Sequence, residues 1–115
     1  MENIEIRTAT TRDAEALLEI YSHYVRYTAV TFEYEPPTLA EFRGRMIHIL
    51  EKYPYLCVLE DHRIMGYAYA GAFHERAAYQ WSAEMTIYLS PGAQKRGLGR
   101  KLYEKLEDKL RELGI

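Results

Sequence analysis

Hydrophobic residues recur along the chain with two different periods, and the switches between them predict the order of the secondary structure elements. Residues 3–9 alternate Ile4 and Ile6 with polar neighbours, which is typical of a short strand. From residue 10 to residue 25 hydrophobic residues recur every three or four positions, which predicts a helix with one buried face. Thr10 and Thr11 are its candidate N-caps. The predicted face consists of Ala14, Leu17, Leu18, Tyr21 and Val25.

A second helix is predicted to begin after residues 27–37, a β-prone aromatic segment that ends in two prolines. Thr38 stands where an N-cap is expected and Glu41 follows three positions later, which together form a capping box. Pro54 lies just beyond the expected end of the helix. Its buried stripe is predicted to be Leu39, Phe42, Met46 and Ile49.

The period changes to that of strands between residues 55 and 73. A turn at Asp61, His62 and Arg63 divides this stretch into a predicted antiparallel hairpin. Its second strand carries small residues, which leave room above the sheet for either a helix or a ligand. These small residues are Gly66, Ala68, Ala70 and Gly71.

Residues 74–81 are predicted to form a loop that leads into another strand, ending in EMTIYL. Ideal alternation places Ser82, Glu84, Thr86 and Tyr88 on one face and Met85, Ile87 and Leu89 on the other. A carboxylate among large apolar residues is costly to bury without a partner or a purpose. Glu84 is therefore the first candidate for a functional residue.

The last segment predicts a helix with a leucine stripe and alternating charges on its other faces. Gly114 is placed to end it as a C′ residue. Such a stripe is usually part of a core, so we expect the helix to lie across the sheet. The stripe consists of Leu98, Leu102, Leu106, Leu110 and Leu113.

Composition restricts the class of protein. A length of 115 residues suits a single domain, and 48% hydrophobic with 28% charged residues is typical of a soluble globular protein. A net charge of −2 and a pI near 6.1 argue against a nucleic-acid binder. The chain has no run of 18 apolar residues and no signal-peptide pattern, so we expect a cytoplasmic protein that does not bind membranes.

Cysteine and histidine give little sign of chemistry. The single cysteine, Cys57, lies in the apolar stretch YLCVL and is expected to be a buried small hydrophobe rather than a nucleophile. The four histidines lack the spacing of metal ligands, so no metal site is expected.

Positive charge is concentrated after the last predicted strand, in the loop QKRGLG. A helix N-terminus has N–H groups without helical partners and a partial positive charge, and glycines let the backbone approach a phosphate. The loop is neither GxGxxG nor a Walker A motif. Taken alone it is either a solvated helix start or an anion-binding loop, and its position between an apolar strand and a patterned helix favours the ligand.

QKRGLG resembles the Q/R-x-x-G-x-G/A loop with which Gcn5-related N-acetyltransferases (GNAT) grip the pyrophosphate of acetyl-CoA. The order of elements also resembles that family. Two segments, TFEYEPPT and GYAYAGAFHERAAYQWSAEMTIYLSP, are similar to its phosphinothricin and methionine sulfoximine (or sulfone) acetyltransferase branch. The resemblance implies an α+β, three-layer GNAT fold with a mixed, mostly antiparallel sheet flanked by helices. Residues 1–115 would form one acetyltransferase domain, the N-terminal two-thirds of that fold.

The resemblance also implies roles for individual residues. Glu84 would be the general base, acting directly or through water; alternatively it pairs with Arg76 or caps a loop. Acetyl-CoA would be the co-substrate, its pantetheine arm paired with Ile87, Tyr88 and Leu89. Its diphosphate would contact Gln94, Lys95, Arg96, Gly97, Leu98, Gly99 and Arg100. The amino acid substrate would contact Phe32, His74, Arg76, Tyr79 and Tyr88.

Family members continue beyond the last helix with a strand, a helix and a hairpin, which normally supply further cofactor contacts and a general acid. We therefore expect a homodimer, or completion of the sheet by another chain. Three functions remain open: acetylation of a small amino acid such as phosphinothricin, acetylation of a protein N-terminus or another amine, and CoA binding or association with a partner without catalysis.

Overall fold

Four strands form one antiparallel sheet in the order β1-β2-β3-β4 in this computed structural model. The strands are β1 (Ile4–Thr8), β2 (Tyr55–Glu60), β3 (Arg63–Ala72) and β4 (Ala83–Leu89), and the helices are α1 (Ala14–Tyr27), α2 (Leu39–Leu50) and α3 (Leu98–Glu112). The structure describes residues 4–27, 35–72, 83–91 and 97–113, with the backbone alone at residues 72, 83 and 84. Within these ranges the strand pairs are all antiparallel.

The sheet separates two hydrophobic clusters, one under each helical layer. Helices α1 and α2 cover one face, where Leu17 and Met46 pack against Tyr67. Helix α3 covers the other face, where its leucines pack against Ala68 and Ala70. The small residues of β3 at positions 68 and 70 therefore make room for a helix. This arrangement confirms the α+β three-layer expectation.

The hairpin between β2 and β3 is tighter than the sequence suggested. Asp61 and His62 have positive φ angles of 51° and 69°, a conformation that two-residue hairpin loops require and that Asp and His adopt more readily than most residues. Arg63, which the sequence pattern assigns to the turn, is the first residue of β3 and pairs with Glu60.

Helix α1 follows a short 3-10 turn, Thr11–Asp13, whose N-cap is Thr10. The backbone N–H of Thr10 donates to Asp13 Oδ2 at 2.8 Å. The buried face of α1 includes Ile20, which the predicted stripe omitted, whereas Leu18 and Tyr21 are only partly buried against the core. The face of α1 that contacts the core is therefore wider than the stripe predicted from residues three or four positions apart.

A bidentate ion pair fixes the 3-10 turn before α1 to β1. Arg7 donates from both terminal nitrogens to the Asp13 carboxylate, each at 2.9 Å. These hydrogen bonds lower the pKa of Asp13 below its ordinary value of 3.8. The pair therefore stabilises the fold fully above that pH, and the stabilisation is lost as the pH falls through the lowered pKa.

We expect Asp13→Asn to lower the free energy of unfolding more at about pH 6 than at about pH 3, because below pH 3.8 this carboxyl takes up a proton more readily in the unfolded chain than in the folded one, and the contribution of the charge shrinks. Urea denaturation at the two pH values measures the difference. Asp108→Asn is the control, since Asp108 is exposed on α3 and surface pairs contribute little. An equal loss at both pH values would contradict a role for the charge of Asp13.

Helix α2 buries Phe42 and Met46 of its predicted stripe, whereas Leu39 and Ile49 are only partly buried against the same cluster, and α3 agrees with its pattern except at one leucine. Thr38 Oγ1 accepts from Glu41 N at 3.1 Å and Thr38 N donates to Glu41 Oε1 at 2.9 Å, which confirms the capping box. Leu98, Leu102, Leu106 and Leu110 are buried. The assignment of Leu113 to this stripe was wrong: it follows the last helical residue and is 58% exposed. Gly114 lies outside the described residues.

Candidate active site

The carboxyl end of β4 lies against the start of α3. A β-carbon built on Gly99 would lie 3.3 Å from Leu89 Cδ1, and one built on Gly66 would lie 2.6 Å from Leu89 Cδ2. The Leu89 side chain is therefore held between two glycines. The expectation that Gly66 leaves room for a helix or a ligand is therefore wrong, because the Leu89 side chain of the neighbouring strand fills that space.

The N-terminus of α3 is suited to an anion. Its N-cap, Gly97, has a φ of 75°, a left-handed conformation that glycine adopts without strain. Lys101 N donates to Gly97 O at 3.2 Å, so the three preceding N–H groups have no partner within the helix. The first turn has no acidic residue and contains Arg100, followed by Lys101. Cations here reinforce the positive end of the helix dipole.

The structure places four of the seven residues predicted to contact the diphosphate. Leu98 is buried, so its side chain belongs to the core and only its backbone faces the helix start. Arg100 is exposed and its Nε donates to Glu104 Oε1 at 3.2 Å. Gln94, Lys95 and Arg96 lie outside the described residues.

Alternate residues of β4 direct their backbone groups toward the side of the strand away from β3. Ser90 N donates to Met65 O at 2.7 Å, and the register continues as Tyr67 opposite Tyr88. Since hydrogen-bonded pairs alternate in antiparallel sheets, Tyr88 bonds to β3, whereas Met85, Ile87 and Leu89 point their N–H and C=O groups outward. Tyr88 is one of the three residues expected to pair with pantetheine. Its backbone groups are directed to β3 and not to the outer edge.

Tyr24 of α1 reaches this outer edge, and the sequence patterns did not single it out. Its hydroxyl donates to Leu89 O at 2.8 Å and accepts from Leu89 N at 3.2 Å. The two residues are 65 positions apart in sequence, so no local pattern indicates the contact. The sequence offers one sign of this contact. Tyr24 follows Tyr21 by three positions on a helix that packs against the sheet.

Glu84 lies in β4 opposite Gly71. By alternation it shares a face with Tyr88, whose ring packs against Tyr21 and Tyr24 with centroids 5.5 and 4.9 Å apart. Position 84 therefore belongs to the face that α1 and α2 cover. Its side chain is outside what the structure describes, as is Arg76, so the proposed pair between them is not tested.

A cavity of about 500 Å³ lies on this same face beside Tyr88. Aromatic rings form most of its wall, and Tyr55 stacks on Tyr69 with centroids 4.9 Å apart. Burial raises the pKa values of Tyr55 and Tyr67 well above the ordinary value of 10.0, so these phenols stay neutral. The lining residues are Tyr21, Phe42, Gly44, Arg45, His48, Ile49, Tyr55, Tyr67, Tyr69 and Tyr88.

Tyr88 is the one predicted substrate contact that the structure places, and it lines this cavity. Phe32, His74, Arg76 and Tyr79 lie outside the described residues. Arg45 and His48, which α2 contributes to the wall, were not predicted. Arg45 follows Phe42 by three positions and His48 follows Arg45 by three, so a helical count would have placed both on the flank of the buried stripe.

The remaining candidates for chemistry are few in the described part of the chain. Cys57 is fully buried, as expected, and burial raises the pKa of its thiol to about 11; it is therefore a poor nucleophile. Within the described ranges no three acidic, histidine or cysteine residues are grouped as metal ligands. None of the described helices is long and apolar enough to cross a membrane.

Comparison with known proteins gives consistent matches. The profile of the acetyltransferase (GNAT) domain matches residues 6–115. The chain is 38% identical over 103 residues to the phosphinothricin N-acetyltransferase of Streptomyces viridochromogenes, covering 90% of this chain and 56% of that protein. It is 34% identical to the L-methionine sulfoximine/L-methionine sulfone acetyltransferase of Salmonella typhimurium, covering 95% of this chain and 64% of that protein.

A crystal structure of a phosphinothricin acetyltransferase from Sinorhizobium meliloti, in complex with acetyl-CoA, superimposes with a TM-score of 0.87 at 37% identity. The superposition covers 93% of this chain and 59% of that one. The chain thus spans between about half and two thirds of the length of these relatives.

Proposed function

Because the chain belongs to the acetyltransferase (GNAT) domain family, we propose that it transfers the acetyl group of acetyl-CoA to the α-amine of a small amino acid such as phosphinothricin or methionine sulfoximine. One observation carries this proposal: the outer edge of β4 leads directly to the positive N-terminus of α3. An extended ligand with a diphosphate at one end suits that continuous surface.

Acetyl-CoA is the proposed co-substrate, with its diphosphate held by residues 94–100 and its pantetheine arm along β4. The similar protein from Sinorhizobium meliloti that was crystallised with acetyl-CoA supports this assignment. Within residues 94–100, the N–H groups at the start of α3 would donate hydrogen bonds to the diphosphate. The Arg100 guanidinium would neutralise part of its negative charge. Along β4, outward backbone groups would bond the amides of the arm as a neighbouring strand does.

Glu84 is the proposed general base. An α-amine is protonated at neutral pH and must lose a proton before its nitrogen can attack the thioester carbon. Glu84 would accept that proton, directly or through one water. The C–N bond forms as the C–S bond breaks, and the departing thiolate then takes up a proton. No covalent intermediate with the enzyme is needed.

The outward N–H of Ile87 is in a position to stabilise the negative charge that develops on the acetyl oxygen. One well-placed donor of this kind contributes about 3 kcal/mol. In an extended strand the Cα atoms of positions 84 and 87 are about 10 Å apart. A glutamate side chain and the amine of a small substrate together span that distance, so one reaction centre can use both groups.

The cavity beside Tyr88 is the proposed site for the substrate side chain. Its aromatic wall also favours a second class of acceptor, amino acids with a large apolar side chain. Arg45 and His48 would instead favour a substrate that carries a second anion, as phosphinothricin does. Comparing substrates therefore separates the two classes.

We expect the protein to release free CoA thiol from acetyl-CoA in the presence of phosphinothricin or methionine sulfoximine, with an equal amount of N-acetylated product in the mass spectrum. Phenylalanine and a peptide with a free N-terminus test the other acceptors. N-acetylphosphinothricin is the control, because it has no free amine. Thermal stabilisation by acetyl-CoA without any product would favour the binding-only alternative, and neither effect would reject both.

A further inference from the structure

We propose that Gly71 is a specificity-determining residue: the space left by its missing side chain holds the body of the amino acid acceptor while the acceptor amine faces position 84. The acceptor and its chemistry rest on the function proposed above. Gly71 would admit the acceptor to the site and would take no part in the proton transfer.

Nothing in the described part of the chain requires a glycine at position 71. Gly71 lies in β3, one residue before the end of the strand, and its φ angle is outside the left-handed range that favours glycine. A β-carbon built there would have no described atom within 4 Å. A glycine weakens a strand and packs no side chain, so it often marks a place where a ligand approaches the backbone.

Gly66 of the same strand shows the opposite case. A β-carbon built there would lie 2.6 Å from Leu89 Cδ2 and 2.9 Å from Tyr88 O, so the packing of β3 against β4 requires a glycine. A methyl group at position 66 would thus meet protein, whereas a methyl group at position 71 would enter open space.

This open space lies beside the proposed general base. Gly71 is the partner of Glu84 in the register of β3 and β4. Hydrogen-bonded pairs alternate along the two strands, so this pair is bonded as Tyr67 and Tyr88 are, and its Cα atoms are about 5.5 Å apart. By alternation, positions 71 and 84 share the face that α1 and α2 cover. A ligand over Gly71 would therefore be next to the base.

Gly71 also lines a second cavity, of about 320 Å³, which adjoins the aromatic one. The two cavities have three wall residues in common: His48, Ile49 and Tyr69. They therefore lie side by side along one face of the sheet. A single acceptor can occupy parts of both.

The order of the two cavities along β4 sets the path of the acceptor. Position 84 is beside the second cavity and Tyr88 lines the first, and the two positions are about 13 Å apart in an extended strand. An acceptor whose amine is at Glu84 must therefore pass over Gly71 before its side chain reaches the aromatic wall.

Gly71→Ala and Gly71→Val fill the space over the strand in two steps. We expect KM for the amino acid that the wild type acetylates, phosphinothricin or phenylalanine, to rise about 10-fold in the alanine variant, as for one methyl group too many in a binding pocket, and further in the valine variant. The Kd of acetyl-CoA should change less than about two-fold, because the cofactor is placed on the outer edge of β4 and not on this face.

Thermal unfolding separates this effect from a folding defect. The midpoint of Gly71→Ala should stay unchanged or rise by a few degrees, because alanine loses less conformational freedom in a strand than glycine does. Gly66→Ala is the matched control for a methyl group added to β3. Its midpoint should fall, because its β-carbon clashes with Leu89.

Amide NMR gives a readout without turnover. The isotopically labelled wild type is first saturated with CoA, which has no acetyl group to transfer. The same amino acid is then added. We expect it to shift the amide of Gly71 and to leave the amide of Gly66 unchanged, since the space over Gly66 is filled by protein.

The outcomes separate this inference from the proposed function. Wild-type turnover with an unchanged acceptor KM in both Gly71 variants overturns the inference alone. So does a fall in kcat at unchanged KM, which would mean that the space serves the Glu84 side chain, or a midpoint of Gly71→Ala as low as that of Gly66→Ala. A wild-type protein that releases no thiol with any acceptor overturns the proposed function and the inference with it.

Discussion

Replacing Glu84 by Gln should reduce turnover by about 10²-fold or more and leave the affinity for acetyl-CoA nearly unchanged. The amide is close in size to the carboxylate but cannot accept a proton from the substrate ammonium. The defect should shrink as the pH approaches the pKa of the amine, because a growing fraction of the substrate then arrives deprotonated. Steady-state kinetics across pH, together with direct measurement of acetyl-CoA binding, test both parts.

Glu5→Gln is the matched control, since Glu5 is an exposed glutamate in β1, at the other end of the described sheet order. Its kinetics should equal those of the wild type. Undiminished turnover by Glu84→Gln at neutral pH would rule out a general base at this position. The same loss in both variants would indicate a non-specific effect of removing negative charge.

Replacing Leu102 by Ala should lower the free energy of unfolding by about 2–5 kcal/mol. Leu102 is completely buried between α3 and the sheet, so its truncation leaves a cavity beneath the helix. Because α3 also presents the proposed diphosphate site, looser packing should weaken CoA binding as well. Urea denaturation gives the loss of stability, and titration with CoA gives the change in affinity.

Leu113→Ala tests the corrected end of the leucine stripe on the same helix. Leu113 is 58% exposed, so its truncation should change stability by less than about 0.5 kcal/mol. Similar losses of stability in Leu102→Ala and Leu113→Ala would mean that Leu113 is packed as well, which would contradict the exposed end of α3.

Most of the fold could be predicted because its elements are encoded locally. The leucine spacing of α3 and the Thr38–Glu41 capping box each depend on residues within a few positions of one another, and both were found where they were expected. Errors occurred where an element ends. Leu113 continues the spacing of the helix but follows its last residue, and periodicity alone cannot show that the core has ended there.

The candidate site was predictable in its residue types and less so in its geometry. The glycine loop and the carboxylate strand were recognised from their motifs, and their roles remain predictions. The contact of Tyr24 with Leu89 joins residues 65 positions apart, and the filling of the space over Gly66 depends on the register of β4. Both follow from tertiary packing, which no local pattern specifies.

The central claim is that the outer edge of β4 and the start of α3 together form the binding surface for CoA. Titration of the isotopically labelled protein with CoA, followed by amide NMR, tests it most directly. We predict that the shifts concentrate at Ile87 and in residues 97–100, and that the β2–β3 turn at Asp61 and His62 stays unchanged. Saturable binding whose shifts fall elsewhere, with Ile87 and residues 97–100 unaffected, would contradict the account.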